Sequence, residues 1–261
     1  ASFSRSMEAT YFKEYAPTVE EEGIGLAIAV RVLGKKIVRN KRKLEYLNLV
    51  AAYLAQFSSA YDQPFAVFLV NQPGFNAGSA PGGFIFINED LVDLCENEAD
   101  LAGVIAHEMA HIILQHGVKE RKKRGLKVKL ESRFEALEDE AGWEESDTEA
   151  ELSVVAMRAY DFIVKPRLQS YELEADIGAM LLLARAGYDP RGVIRMIGSV
   201  ENALKKNEFS MDDMGDGDLD DPFESIDFGK RRADLTEVWK KYLSRVRGAQ
   251  LKNRFQRVFP R

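Results

Sequence analysis

Leu44, Leu47, Val50, Ala51 and Leu54 fall three or four residues apart behind a cluster of charges, a spacing that predicts helix within residues 5–60. The pattern changes at 65–70, where aromatic and β-branched residues run together between Pro64 and Gln72-Pro73-Gly74. This segment predicts a strand, and residues 84–88, directly after Pro81-Gly82-Gly83, predict a second. The connection over 71–83 is long for a hairpin and is expected to be irregular.

Residues 97–116 carry the strongest helical signal. Asn97 is a suitable N-cap, with Asp100 at the capping-box position, and Gly117 offers a stop. Leu101, Val104, Ile105, Met109, Ile112, Ile113 and Leu114 cover nearly every face, so the helix should be buried and its few polar residues need a reason. A basic run from Lys119 to Lys129 and an acidic stretch over 131–151 follow, expected as solvated helices or a mobile flap. Contact of the basic run with anionic lipid is the sharper alternative. Further helices are predicted at 153–164, 170–186 and 191–206. Residues 212–221 are expected to form an acidic loop, and 229–261 a basic helical tail. Asp216, Asp218 and Asp220 alternate as in a calcium loop, but the glycine and distal glutamate of such loops are missing.

Composition narrows the function classes. The 261 residues hold 36 Lys and Arg against 42 Asp and Glu, and a net charge of −6 argues against a nucleic-acid binder. One cysteine excludes a disulfide framework or a cysteine-rich zinc module. The longest uncharged run, 63–88, is broken by three prolines and four glycines, so no transmembrane segment is predicted. Residues 1–15 lack the apolar core of a leader, which says little about compartment.

All three histidines, His107, His111 and His116, lie within ten residues. His107-Glu108-Met109-Ala110-His111 matches H-E-x-x-H. Residues four apart share a helix face, so two imidazoles can reach one tetrahedral metal. Glu108 then stands beside the metal, where a base can take a proton from an activated water. The bland alternative, histidines satisfied by local hydrogen bonds, packs three titratable groups into an apolar helix without a common partner. His116, five residues past His111, is expected to turn away and meet the carbonyls at the helix end.

No histidine remains downstream for a third ligand, and Leu114 and Gly117 occupy the places where metzincins put a glycine and a third histidine. A carboxylate on another helix is the remaining source. Glu172 and Asp176 are four apart on one face; Glu172 is the candidate ligand, and Asp176 the acceptor that orients a ligand histidine. Glu174 points elsewhere and is expected to be a surface or cap carboxylate. A plain amphipathic helix is the alternative for this segment.

H-E-x-x-H with a distal E-x-x-x-D is the gluzincin pattern. Together with Glu172-Leu173-Glu174-Ala175-Asp176, Ala186-Gly187-Tyr188-Asp189-Pro190, and Asn76-Ala77 followed by Pro81-Gly82-Gly83, it resembles the HtpX and CAAX-prenyl-protease family, nearest its soluble, exported BepA-type branch. The resemblance covers residues 20–200. It implies an α+β, mostly α, zincin-like core with a small sheet beside the active-site helix. It also implies Asn76, Ala77 and the strand at Phe84 beside the substrate, where an edge strand can pair with extended peptide. Two positions depart from the family: Gly78 replaces an aromatic, and Asp221-Pro222 stands where a His-Pro pair is common. A donor to the transition state must then come from elsewhere, with Tyr160, Tyr171 or an arginine as options, and Arg231 or Arg232 follows that loop.

These readings converge on a single metallopeptidase domain over 1–261, with an insertion at 119–151, an acidic loop at 207–228 and a tail at 229–261. The expected activity is that of a zinc-dependent metalloendopeptidase holding one zinc per chain through His107, His111 and Glu172, with Glu108 as general base. Protein or extended peptide is the expected substrate, with no nucleic-acid partner and a periplasmic or otherwise exported location. The alternatives are a catalytically weak or inactive zinc-binding assembly factor on the same fold, which the changed Asp221-Pro222 favours and Glu108 opposes, and a purely structural zinc site, which lacks a fourth Cys or His.

Overall fold

Helices dominate because the apolar residues recur mostly at helical spacing; the short β-branched and aromatic runs supply one small sheet. The computed structural model describes residues 11, 15–123, 169–206 and 227–260, with backbone alone for 20, 31–36 and 120–123. Helix α1 spans Val19–Lys36 and α2 spans Lys41–Ala55. They are separate because Asn40 caps α2, its side chain accepting from Lys43 N at 3.1 Å. Strands β1 (Ala66–Val70), β2 (Ala77–Ala80) and β3 (Phe84–Asn88) follow, then α3 (Glu89–Leu94), α4 (Glu98–Ile113) and α5 (His116–Lys123). After the insertion come α6 (Gln169–Arg185), α7 (Arg191–Lys205), α8 (Phe228–Val238), a π-helical turn at Trp239–Leu243 and α9 (Lys252–Gln256).

The sheet has strand order β1-β3-β2, with β1 parallel and β2 antiparallel to β3. The stretch 71–83 therefore contains a strand where an irregular loop was expected. Ala-Gly-Ser-Ala has little strand propensity of its own, so its conformation is set by pairing with β3. The strand expected to offer an edge, 84–88, is the central one, and both its sides are occupied. Asn48 of α2 ties the sheet to the helices, donating to Val67 O and accepting from Val67 N, each at 2.9 Å.

Helix α4 is the axis of the core. From Glu98 to Ile112 only His107 is not buried. Helix α6 runs against it closely enough that a Cβ at Gly178 would lie 3.2 Å from Ala110 Cβ. Helix α7 comes closer still: a Cβ at Gly192 would stand 2.2 Å from Ala99 O, so the contact requires glycine.

The first turn of α4 is fixed by polar bonds. Asn97 accepts from Asp100 N at 3.2 Å, as its capping role predicts, while the Asp100 carboxylate accepts from Glu96 N at 3.0 Å. Arg195 binds Asp100 at 2.7 Å and Asp189 at 2.9 Å. Fully buried Glu98 accepts from Tyr188 OH at 2.5 Å, from Tyr46 OH and from Arg254. The C-terminal segment thus clasps the far end of the helix that carries H-E-x-x-H.

At the other end α4 stops at Ile113, before the expected boundary. Gln115 takes φ 54°, and His116 opens a new helix. A glycine would have announced this left-handed turn, but a glutamine does not.

The predicted helix at 153–164, the acidic stretch 131–151, the aspartate-rich loop 212–221, Tyr160 and Asp221-Pro222 lie outside the described residues.

Candidate metal centre

Helical spacing on α4 brings His107 Nε2 and His111 Nε2 to 3.0 Å from each other. The packing of α6 onto α4 adds Glu172 from 61 positions beyond His111 in sequence. Its Oε2 lies 3.4 Å from His107 Nε2 and its Oε1 3.3 Å from His111 Nε2. A tetrahedral zinc with bonds of about 2.0–2.1 Å needs donors about 3.3 Å apart, so these three atoms fit one ion. Glu108 follows His107 into the helix and is 5% exposed.

The charge balance points the same way. Glu108, Glu172 and Asp176 bring three carboxylates to the site, and Arg231 is the cation among them. The carboxylates outnumber the guanidinium in this largely buried setting, which suits a bound cation.

Each ligand candidate is held from behind. His107 Nδ1 donates to Asp176 Oδ1 at 2.9 Å. Asp176 is fully buried and accepts with both oxygens from one edge of the Arg231 guanidinium, NH2 at 2.7 Å from Oδ1 and Nε on Oδ2. The same arginine reaches Glu172 Oε2 at 3.2 Å. Burial works against the charge of Asp176, but Arg231 and His107 outweigh it and lower its pKa. Burial is likewise overcome at Glu172, by His111 and His107, which hold its carboxyl well below the usual range. At His107 burial disfavours the cation, yet Asp176 and Glu172 raise the pKa to about 10 before any metal competes for the ring. Arg231 is kept charged against burial by Asp176 and Glu172. Arg231 lies at the site, whereas the adjacent Arg232 pairs with Glu201. Nothing in the local sequence of α8 marks Arg231 out, because its role depends on how α8 packs on α6.

His116 departs from expectation. The left-handed turn at Gln115 swings it back under α4, where it is fully buried. Its Nδ1 lies 2.9 Å from His111 Nδ1, and its Nε2 lies 3.2 Å from Glu174 Oε2. Tyr171 stacks on its ring at 4.6 Å. Tyr171 is thus engaged with His116, and half-exposed Glu174 has a partner at the site's outer edge.

On the sheet side, β2 packs against α4, and Ser79 and Ala80 line a small cavity with His111 and Gln115. Asn76 precedes β2, its carbonyl accepting from Asn88 N at 3.0 Å, and Ala77 opens the strand opposite Ile87. Among the described residues no strand pairs with the outer side of β2. Phe84 sits in the central strand and packs with Ile28, Ala80 and Phe86.

A helix bearing H-E-x-x-H, a second helix bringing Glu172 beside it and a small mixed sheet make up the architecture of a zincin-like metallopeptidase. The chain belongs to peptidase family M48, whose profile matches residues 41–244. Membership implies a metal, generally zinc. Among similar proteins, the beta-barrel assembly-enhancing protease of Escherichia coli K12 is 32% identical over 72 residues, 28% of this chain and 15% of that protein. The mitochondrial metalloendopeptidase OMA1 of Arabidopsis thaliana is 29% identical over 138 residues, 48% of this chain and 23% of the relative. The Saccharomyces cerevisiae protein of the same name is 25% identical over 142 residues, 54% of this chain and 38% of the relative. The matched segments therefore span well under half of these relatives' own length.

Proposed function

We propose that the chain is a zinc-dependent endopeptidase in which His107, His111 and Glu172 hold one zinc. The observation that carries this reading is the convergence of three donor atoms at tetrahedral spacing beside a buried glutamate. Zinc held there supplies Lewis-acid chemistry, acidifying a water and polarising a carbonyl. Glu108 would take a proton from the attacking water as the water oxygen bonds to the scissile carbonyl carbon, and would pass that proton to the leaving amine as the C–N bond breaks. Asp176 keeps the remaining proton of His107 on Nδ1, leaving Nε2 free to bind. Arg231 holds Asp176 and Glu172 in register. Three protein donors leave a coordination position open, which separates a catalytic site from a structural one.

The outer side of β2, with Asn76 and Ala77 at its start, is the surface on which an extended protein substrate would lie by strand addition. The exported location implied by the family resemblance belongs to this proposal. Among the described residues no helix is long and apolar enough to cross a membrane.

Metal content and cleavage of an unfolded protein such as casein test the reading together. The purified chain should carry about one zinc, lose activity to a chelator and regain it with zinc. His107→Ala and Glu172→Ala should each lose the metal. Full zinc content in Glu172→Ala would remove it from the ligand set.

A further inference from the structure

Taking His107, His111 and Glu172 as the metal ligands, we propose that His116 is a positioning residue for the centre: it holds His111 through Nδ1 and is itself held by Glu174 and Tyr171. A neutral imidazole that gives its Nε2 lone pair to a metal carries its proton on Nδ1, and that proton needs an acceptor. For His107 the acceptor is Asp176 at 2.9 Å. For His111, 2% exposed, the atom facing Nδ1 is His116 Nδ1 at 2.9 Å.

This contact runs in one direction only when metal is bound. If His116 donated from Nδ1, the His111 proton would sit on Nε2, among the donor atoms that face His107 and Glu172, and would block coordination. His116 must therefore accept at Nδ1 and carry its own proton on Nε2. That nitrogen faces Glu174 Oε2 at 3.2 Å, which accepts its hydrogen bond and fixes the tautomer. Tyr171 lies parallel to the ring, 9° from coplanar, and sets its plane. The chain His111–His116–Glu174 does for the second ligand what Asp176 does for the first. It differs in ending at a half-exposed carboxylate instead of a buried one. The left-handed Gln115 is what makes it possible, since a continued helix would carry residue 116 off the metal face.

Three histidines make the test direct. In zinc-loaded protein labelled with ¹⁵N-histidine, the ring nitrogens should show His116 protonated at Nε2 and His111 at Nδ1. A proton on His116 Nδ1 overturns the proposal. In a second arm, His116→Phe keeps a ring against Tyr171 but offers no acceptor. It should bind zinc about 10–100-fold more weakly in chelator competition and alter the d–d spectrum of the cobalt-substituted protein. His116→Asn, whose Oδ1 takes the place of Nδ1, should restore most of the affinity. Should the Phe variant not fold, Glu174→Ala, at a half-exposed position, should still fold and weaken zinc binding. Wild-type affinity and spectrum in His116→Phe, or in Glu174→Ala, contradict the proposal. Failure of wild type to bind zinc through His107 and Glu172 would instead sink the ligand assignment on which it rests.

Discussion

Asp176 shows how one side chain can serve metal and fold together. From sequence it reads only as an acceptor that orients a ligand histidine. In the structure it also anchors the buried guanidinium of Arg231. Removing a carboxylate from a buried pair strands the partner's charge, which typically costs about 3–5 kcal/mol. Asp176→Ala should therefore destabilise the metal-free protein by about that much, while Asp176→Asn, which keeps an acceptor for His107, should lower stability less and weaken zinc affinity about tenfold or more. Denaturant unfolding of the two metal-free variants checks this; an Ala variant as stable as wild type would make the Arg231 contact incidental. The pairs His107/His111 and Glu172/Asp176 are legible in the sequence because helical periodicity places residues four apart on one face, and the H-E-x-x-H pattern adds Glu108. Arg231 and His116 are not, since one reaches the site through packing of α8 on α6 and the other through a left-handed glutamine.

At the scale of elements, α4 is held at its first turn by a polar clasp and carries its chemistry at the last. Asp189 is central to the clasp, accepting from Arg191 N and Nε at 3.0 Å, Arg195 NH1 at 2.9 Å and Gln250 Nε2 at 3.3 Å. Burial raises its pKa, but these donors win and hold the carboxyl below its ordinary value. A carboxyl with a depressed folded pKa contributes stability above its unfolded value, near 4, and loses that contribution as pH falls toward the folded one. Asp189→Asn should thus be less stable than wild type by about 1–3 kcal/mol at pH 7, with the gap closing below about pH 4. Unfolding curves at pH 7 and pH 3 measure the gap; a constant difference would show that the carboxylate's charge is not what matters. Element boundaries were legible where local chemistry sets them, as at Asn97 and at the 84–88 strand. They were not legible for β2, whose residues form a strand only because β3 lies beside them.

Across the whole molecule, the M48 match over 41–244 takes in α2 through the π-helical turn, so the site helices, the sheet and α8 belong to one familial unit. Residues remote in sequence meet there: β2 and His111 share a cavity wall, and Arg231 closes the site from the C-terminal side. Glu108 is proposed as the proton carrier and not as a ligand, and one substitution separates those roles. Glu108→Gln preserves the shape of a buried residue, so fold and zinc content should stay at wild-type levels. Glutamine cannot take up a proton at neutral pH, and cleavage of casein should fall by about 10²–10⁴-fold. Zinc content and cleavage rate measured side by side on wild type and Glu108→Gln are the most direct test. Retained zinc with turnover nearly abolished is the predicted result. Equal cleavage by the two proteins would contradict the mechanism, and absence of cleavage by zinc-loaded wild type would contradict the proposed activity itself.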